Sequence, residues 1–422
     1  MTVFIAVLNF LLSTIRLLYC AKNKRLMSVI WFLIAYFSFF FIPVSFESSI
    51  THYRGFSGDS IIITKADIFK SILYVFIFNS LFFLTEWSVW KLIRIKINRD
   101  KWVFNRKNRY LRKLQFIYGL ILIVSSIVYG ITTQDHSYKD FIEYTGSNWG
   151  QVFLMASAPL LSISALRKQY LLAFLGVIPF VFFAVKLHVR SFALLSFIPI
   201  VIIYTLQAIN DRGSNGLKKV KKLLFSMIMI LSLIGLSSWI IASKRGDENF
   251  NILNVFPDSG MPYGTVMVMK LSDIHHVRTG FDSIYLYGLN LITPFRKVFQ
   301  LPPPEIIDPP FVMSSLLDGI PKWWKNNLHY PTLWYSDAYL SFGMLGLFFS
   351  VFWGMVLVFW ERLLMKNIFI FSLLIPYFSW HAYMLVRGAI SGAVVPFSYS
   401  VYLVFLVAML SSFSKFRKNL FE

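Results

Sequence analysis

Basic side chains stand at the ends of apolar runs where membrane topology does not require them, and they are the first candidates for chemistry. Lys186, His188 and Arg190 form a short polar joint between two such runs. An ionisable side chain at membrane depth is costly and is by default a functional hypothesis. An arginine fork binds phosphate oxygens bidentately, so this cluster suits a lipid-linked phosphate or pyrophosphate. Snorkelling of the cations to lipid headgroups is the alternative.

Two more basic sites follow apolar runs directly. Lys244 and Arg245 precede Gly246, which allows a close backbone approach, and Arg387 precedes Gly388 and a stretch of small residues. Small residues let helices pack closely, which would place Arg387 on the floor of an outer cavity. A membrane-edge anchor is the alternative for Lys244 and Arg245. Other basic residues that stand out on the predicted outer side include Arg54, Arg278 and Arg296.

A histidine, His329, lies where a long polar segment returns to an apolar run. Histidine titrates near neutral pH, so it can accept a proton from a sugar hydroxyl or orient that hydroxyl. A loop histidine that packs and hydrogen-bonds locally is the alternative. Aromatic side chains nearby could stack on sugars or anchor at the membrane interface. The candidate substrate contacts in this segment are Tyr330, Trp334 and Asp337.

Motifs for nucleotide, metal or thiol chemistry are absent from the sequence. It contains no G-x-x-x-x-G-K-[ST], G-x-G-x-x-G, H-E-x-x-H or C-x-x-C. His275 and His276 are adjacent, so they do not share a helix face on which to hold a metal. Cys20 is the single cysteine and cannot form an internal disulfide. We therefore predict no metal and no cofactor.

The composition indicates a membrane protein. The 422 residues are 57% hydrophobic and 14% charged, with a mean hydropathy of +0.62, whereas soluble domains are about 45–50% apolar and 25% charged. This argues against a soluble enzyme, a disordered chain and a disulfide scaffold. The net charge of +21 lies mainly between apolar runs, so it indicates membrane topology rather than nucleic-acid binding.

The apolar runs predict an all-α polytopic membrane protein with about eleven transmembrane helices, because roughly 20 apolar residues cross the hydrocarbon core. The joint between 170–186 and 191–208 is short and polar, so these two runs could instead form a re-entrant or tightly turned pair. The predicted spans are 2–20, 26–46, 68–90, 114–131, 150–166, 170–186, 191–208, 223–242, 333–360, 368–386 and 397–413.

Orientation follows from the excess of Lys and Arg in cytoplasmic connections. The connection 91–113 carries ten basic residues and is predicted to be cytoplasmic, whereas 47–67 and the long loop 243–332 face outward. An odd number of spans places the N-terminus outside, and an even number places it inside. Loops as long as 243–332 are usually functional or disordered. We expect a part-helical outer cap with 261–277 as an amphipathic helix, inserted in a single transmembrane domain, 1–422.

Four short stretches then stand in a recognisable order. They are Lys186-x-His188-x-Arg190-Ser191, Ser243-Lys244-Arg245-Gly246, His329 followed by Tyr339-Leu340-Ser341-Phe342-Gly343-Met344-Leu345-Gly346, and Arg387-Gly388. With these stretches and its large outer loop, the chain resembles the bacterial O-antigen polymerases, the Wzy-type oligosaccharide repeat-unit polymerases. It is more distantly similar to the O-antigen ligases.

The resemblance implies a metal-independent glycosyltransferase of the membrane-embedded GT-C class, located in the bacterial inner membrane with its active site facing the periplasm. The growing glycan would pass en bloc from undecaprenyl pyrophosphate to the non-reducing-end hydroxyl of a new lipid-linked repeat unit. Arg190, Arg245 and Arg387 would stabilise the departing pyrophosphate, and His329 would act on the acceptor. Pro331 departs from ligase-like patterns, which often carry a polar residue there. A chain-length regulator of the polysaccharide co-polymerase type is the implied partner.

Three other functions fit parts of the pattern. A flippase for the same lipid-linked oligosaccharide would also present cations to a cavity, but such transporters usually have two similar halves and short loops. An O-antigen ligase would share the donor and use a lipid A-core acceptor. A non-catalytic assembly scaffold would leave the outer arginines without a common task. The dissimilar halves and the 90-residue loop 243–332 favour an enzyme.

The predicted orientation is testable by cysteine labelling in a Cys20→Ala background. We expect Gln300→Cys to react with a membrane-impermeant maleimide in intact spheroplasts, because 243–332 is predicted to face outward. Asn105→Cys should react only after permeabilisation, since its connection is the most basic in the chain. The reverse pattern would invert the topology and move the candidate site to the cytoplasm.

Overall fold

The structure is a computed structural model, and it describes residues 1–23, 25–53, 60–93, 109–132, 149–186, 190–210, 221, 261–299, 333–366, 368–387 and 393–403. The predicted span 223–242 and most of the basic connection 91–113 lie outside these residues.

Helices account for nearly all of the described chain. Their bounds are α1 Thr2–Lys22, α2 Met27–Phe46, α3 Lys65–Leu92, α4 Arg109–Thr132, α5 Trp149–Ala156, α6 Pro159–Leu166, α7 Tyr170–Lys186, α8 Arg190–Asn210, α9 Met261–Ile274, α10 Gly280–Leu291, α11 Thr293–Val298, α12 Trp334–Phe342, α13 Leu347–Lys366, α14 Ile368–Val386 and α15 Ala393–Leu403.

The chain is a multi-pass membrane protein. Within the described ranges, six helical segments are long and apolar enough to cross a bilayer, and four shorter apolar helices accompany them. Large apolar side chains cover the outside of α4 and α7, as expected of helices that face lipid tails. The six segments are Thr2–Lys22, Met27–Phe46, Lys65–Leu92, Leu111–Ile131, Trp334–Lys366 and Ile368–Val386. The total of eleven spans stays a prediction.

A β-hairpin is the exception to the all-α expectation. Strand β1 (Ser49–Tyr53) pairs antiparallel with β2 (Ser60–Thr64) within the connection 47–67. In β2 the side chains of Ile61 and Ile63 are buried and Ile62 is exposed, which is the two-residue alternation of a half-buried strand. The sequence prediction missed this hairpin because a strand of five residues gives a much weaker hydropathy signal than the long apolar helices around it.

The hairpin leads directly into α3 through a helix cap. Thr64 and Asp67 form a capping box, in which the Asp67 amide lies 3.4 Å from the Thr64 hydroxyl and the Thr64 amide lies 2.9 Å from Oδ2 of Asp67. This reciprocal pair satisfies amides that have no partner within the helix. The cap explains why α3 begins at Lys65 rather than at the predicted residue 68. We call this side of the bundle, with the hairpin and the start of α3, the hairpin end.

Two predicted spans are interrupted. The run 150–166 divides into α5 and α6 at Ser157 and Ala158, immediately before Pro159, which takes the first helical position as proline commonly does. The run 333–360 divides into α12 and α13 around a 3-10 turn, Gly343–Gly346, and continues to Lys366. Helix α9 matches the predicted 261–277 but is buried on nearly all sides rather than amphipathic.

Buried ion pairs join three helices at the end of the bundle opposite the hairpin. Glu86 of α3 accepts a hydrogen bond of 2.7 Å from Nε of Arg16 in α1 and also pairs with Arg25. Arg25 in turn donates through Nη2 to Glu361 of α13, at 2.8 Å. Both carboxylates have no exposed side-chain surface. The charges therefore compensate one another inside the protein, which explains an arginine such as Arg16 within an apolar helix.

Amides and hydroxyls join α1, α2, α3 and α12 at a second level. Asn9 of α1 donates to Ser38 of α2 at 3.0 Å, and Asn79 of α3 donates to Asn9 at 2.9 Å. The Tyr335 hydroxyl of α12 then donates to Asn79 at 3.1 Å. Polar side chains commonly hold membrane helices together in this way. These contacts fix the sides of α3 that face α1 and α12.

Removing the charge of Glu86 tests the ion network. We expect Glu86→Gln to lower the free energy of unfolding by about 3–5 kcal/mol, because Arg16 loses its carboxylate partner in a buried site. Unfolding in mixed detergent micelles with increasing dodecyl sulfate would measure the change. Glu47→Gln makes the same chemical change at an exposed position and should leave stability unaltered. Equal stabilities of the two variants would contradict the role given to Glu86.

Candidate functional site

Two salt bridges hold α9 beside α3 at the hairpin end. Asp67 of α3 pairs with Lys270 of α9 at 2.9 Å, and Lys70 of α3 pairs with Asp273 of α9 at 2.7 Å. Both pairs are separated by 203 residues along the chain, so the two helices run in the same direction and in register. Each helix carries its acid and its base three residues apart, in opposite order. We call these four residues the charge zipper.

Asp273 is the centre of a larger polar cluster. Its Oδ1 accepts from Nη2 of Arg278 at 2.9 Å, and the hydroxyl of Tyr339 lies 2.9 Å from Oδ1 and 3.1 Å from Oδ2. With Lys70, three donors converge on one carboxylate. Partial burial alone would raise the pKa of Asp273, but the hydrogen bonds from Lys70, Arg278 and Tyr339 outweigh it and lower the pKa below its ordinary value. Asp273 is therefore ionised at neutral pH.

Arg278 is held by backbone groups as well as by Asp273. Its Nη1 donates to the carbonyl oxygens of Ser272 and Val277, both at 2.9 Å, and to the Ser272 hydroxyl. Its guanidinium carbon lies 5.2 Å from the centroid of the Tyr339 ring. Because Nη1 and Nη2 serve different partners, the guanidinium keeps most of its anchors if the Asp273 carboxylate moves. Arg278 is thus a preorganised donor with about a third of its side chain exposed.

A glycine turn supports Arg278 from the other side. Gly343 has φ +59°, a conformation that residues with side chains rarely adopt. A Cβ at this position would lie 3.1 Å from Nε of Arg278. At Gly346 a Cβ would lie 2.3 Å from the carbonyl oxygen of Ala338 and 2.6 Å from the Tyr74 hydroxyl. The run Phe342-Gly343-Met344-Leu345-Gly346 therefore has a physical role: it breaks the span and seats the arginine.

Three hydroxyls fasten the start of α10 to α12 beside this turn. Thr279 and Ser283 are 2.7 Å apart, and each lies within 3.1 Å of the Ser341 hydroxyl. The Thr279 amide also donates to the carbonyl of Leu340 at 3.3 Å. Arg278, which immediately precedes Thr279, is consequently fixed relative to α12 at both its backbone and its side chain.

Among the predicted site residues, Arg278 is the one that the described part of the chain places in this cluster. Lys186 ends α7 and is partly buried. Arg190 begins α8. Arg387 follows α14, with its amide bonded to the carbonyl of Tyr383 at 3.0 Å and its guanidinium 5.6 Å from that ring.

Trp334 and Asp337, which we predicted as substrate contacts, lie in the core of the protein. Trp334 has no exposed surface and packs against the rings of Phe78 and Phe82. Asp337 is 1% exposed, one helical turn further along α12. In this conformation both side chains are enclosed by protein. The other predicted residues lie outside the described part of the chain; they are Arg54, His188, Lys244, Arg245, His329 and Tyr330.

His381 is a core histidine. Its Nδ1 donates to the carbonyl oxygen of Ala393 at 2.6 Å, and its ring contacts those of Trp353 and Trp360. The bond ties α14 to the start of α15. Within the described ranges, no three His, Cys, Asp or Glu side chains come together in a group that could hold a metal ion.

Sequence reasoning did not assign Lys70, Asp273 or Tyr339 to a site. Their signal was present in the spacing: Asp67 and Lys70 stand three residues apart, as do Lys270 and Asp273. Residues three apart share a helix face, so each pair marks a charged patch on its helix. The reversed order of acid and base would have indicated that the two patches match each other. The pairing itself required knowing which helices are neighbours.

Comparison with known proteins gives no further guidance, since the chain matches no protein-family model, no curated protein and no solved structure.

The glycine turn can be tested by adding one methyl group. We expect Gly346→Ala to lower the free energy of unfolding by about 3 kcal/mol, because the new Cβ would collide with the Ala338 carbonyl. Gly288→Ala is the matched control, since Gly288 lies within α10 and its added Cβ would have no atom within 4 Å apart from its chain neighbours and the nearby backbone of its own helix. Thermal unfolding of both variants in detergent measures the difference. A Gly346→Ala variant as stable as Gly288→Ala would show that the turn tolerates a side chain.

Proposed function

We propose that the chain polymerises undecaprenyl-pyrophosphate-linked oligosaccharide repeat units at the periplasmic face of the bacterial inner membrane. The observation that carries this proposal is Arg278, a preorganised guanidinium seated on a glycine turn at the end of the bundle predicted to face outward. That turn is the Phe-Gly-x-x-Gly run in which the sequence resembles the O-antigen polymerases. A donor fixed before substrate arrives is what electrostatic stabilisation of a phosphate leaving group requires.

In the proposed reaction the growing glycan moves as one unit. The bond between the anomeric carbon of the glycan and the pyrophosphate oxygen breaks, and a bond from that carbon to the acceptor hydroxyl oxygen forms. His329 accepts or orients the hydroxyl proton. Arg190, Arg245 and Arg387 stabilise the negative charge on the departing undecaprenyl pyrophosphate. This chemistry requires no metal or cofactor.

The remaining predicted residues would bind substrate. Arg278 reaches the lipid-linked phosphate from the outer end of the bundle, and a chain-length regulator of the polysaccharide co-polymerase type would be the protein partner. The residues assigned to binding are Arg54, Lys186, His188, Lys244, Arg278, Tyr330, Trp334 and Asp337. The enclosed positions of Trp334 and Asp337 would have to open for direct contact.

Surface glycan from a strain that lacks this gene tests the function. A single repeat unit on the lipid core, without a ladder of longer products, is the outcome expected of a lost polymerase. Loss of all modified core would instead indicate a flippase or a ligase, and free lipid-linked polymer within the envelope would single out a ligase.

Complementation of that strain tests the residues. Arg190→Ala, Arg245→Ala and Arg387→Ala should each abolish the ladder while protein levels persist, because each removes a cation from the leaving-group site. His329→Ala should strongly reduce the ladder. Arg112→Ala, at an exposed site on the predicted cytoplasmic side, should restore a normal ladder. Normal polymer from all three arginine variants would refute the pyrophosphate site.

A further inference from the structure

The ion pairs at the hairpin end leave one positive charge in excess. Asp67 and Lys270 compensate each other in one rung of the charge zipper. The other rung places one carboxylate, Asp273, between two cations, Lys70 and Arg278. These three side chains carry a net charge of +1 while being half to one-third exposed. Such a cluster attracts a further anion from the adjoining solvent or lipid headgroup layer.

Lys70, Arg278 and Tyr339 are arranged so that they can hold an anionic group from outside their own helices. Lys70 comes from α3, Arg278 from the turn after α9, and Tyr339 from α12, so three separate elements converge on two oxygen atoms. Arg278 retains its bonds to the carbonyls of Ser272 and Val277 without any carboxylate. The donor set consequently survives if Asp273 swings away. A phosphate, with three or more acceptor oxygens, satisfies these donors at least as well as a carboxylate does.

Exposed apolar side chains lie close to Arg278 and Gly343 in the sequence, and they indicate what kind of molecule carries the anion. Phe281 and Tyr285 of α10, and Met344 and Leu345 of the glycine turn, are 85%, 59%, 53% and 66% exposed. They belong to the same two segments that seat Arg278. Exposed apolar groups beside cations at the end of a membrane bundle fit a lipid whose phosphate lies at the interface. A free sugar acid would gain nothing from them.

We propose that Lys70, Arg278 and Tyr339 form a binding site for a lipid-borne phosphate, and that the Asp273 carboxylate fills this site until the lipid phosphate displaces it. The inference rests on the proposed function, which brings a lipid-linked pyrophosphate to this end of the bundle. It adds Lys70 and Tyr339 as binding residues and gives Asp273 the role of an internal competitor.

If Asp273 is an internal competitor, substitutions of the two partners in the Lys70–Asp273 pair should change the affinity for a lipid phosphate in opposite directions. Asp273→Asn removes the carboxylate that competes for the three donors, so the affinity for a lipid phosphate should rise by about threefold to tenfold. Lys70→Gln removes a charged donor and should weaken binding about tenfold. A purely structural salt bridge would instead lose stability in both variants and show no gain in affinity in either.

We would use microscale thermophoresis to measure the binding of farnesyl pyrophosphate to the purified full-length protein in phosphatidylcholine nanodiscs. Asp67→Asn is the matched control, because it removes the same charge from the neighbouring rung but leaves the Asp273 carboxylate on the three donors. The affinity of this variant should stay within twofold of that of the native protein. Lys70→Arg keeps the charge and should retain most of the affinity. If Asp273→Asn fails to fold, the comparison of Lys70→Gln with Lys70→Arg carries the test.

Two competitors distinguish the source of the phosphate. Inorganic pyrophosphate should compete at least tenfold more weakly than farnesyl pyrophosphate, since it lacks the apolar part. Nanodiscs that contain phosphatidylglycerol would lower the apparent affinity if bulk headgroups use the site, and would leave it unchanged if the site selects the diphosphate. Either result supports a lipid phosphate site. Inorganic pyrophosphate that competes equally well would overturn it.

The proposal is overturned if Asp273→Asn and Lys70→Gln shift affinity no more than Asp67→Asn does. The glycan ladder separates this failure from failure of the proposed function. Loss of the ladder in the deletion strain with unchanged affinities would reject the site and leave the polymerase standing. A normal ladder with the expected affinity changes would reject the polymerase and leave the lipid phosphate site standing.

Discussion

The buried charges around Glu86 are the constraint on which the other features depend. An ionised side chain inside an apolar bundle is tolerated only with a partner of opposite charge and good geometry. Glu86 and Glu361 meet that condition by sharing Arg25, and Arg16 completes the group. Because each partner comes from a different part of the chain, these pairs fix where α1, α3 and α13 stand relative to one another. If any of these helices slid along its axis, a buried charge would lose its partner of opposite sign.

Helix α3 transmits that constraint to the opposite end of the bundle. Glu86 and Lys70 lie about four and a half turns apart, roughly 24 Å along the axis. With Glu86 held, Lys70 has a defined height, and the charge zipper then sets α9 in register beside it. The hairpin contributes by ending at Thr64, whose cap determines the residue at which α3 begins. The position of Asp273 among its donors is therefore a consequence of contacts at both ends of one helix.

Arg278 joins this framework to the proposed chemistry. A guanidinium on a free loop would have to be ordered when substrate binds, at a cost in side-chain entropy. Here two backbone carbonyls, a tyrosine ring and a glycine turn hold it in place beforehand. The same turn divides α12 from α13, so the break in the span and the placement of the cation are one structural feature. This gives the Phe-Gly-x-x-Gly run a mechanical reason that is independent of any resemblance.

The sequence by itself determined the class of protein and the approximate limits of most helices, because the length of an apolar run and the cost of burying polar backbone leave few options. It also indicated Arg278 as a candidate, because this basic residue lies on the predicted outer side, where the positive-inside rule does not require one. It did not reveal that Trp334 and Asp337 are enclosed, nor that Lys70, Asp273 and Tyr339 meet. Those facts depend on which helices are neighbours and on their register, and both are set by contacts between residues far apart in the chain. The spacing of residues in the sequence shows which side chains share a helix face, whereas only the tertiary structure decides which neighbour that face contacts.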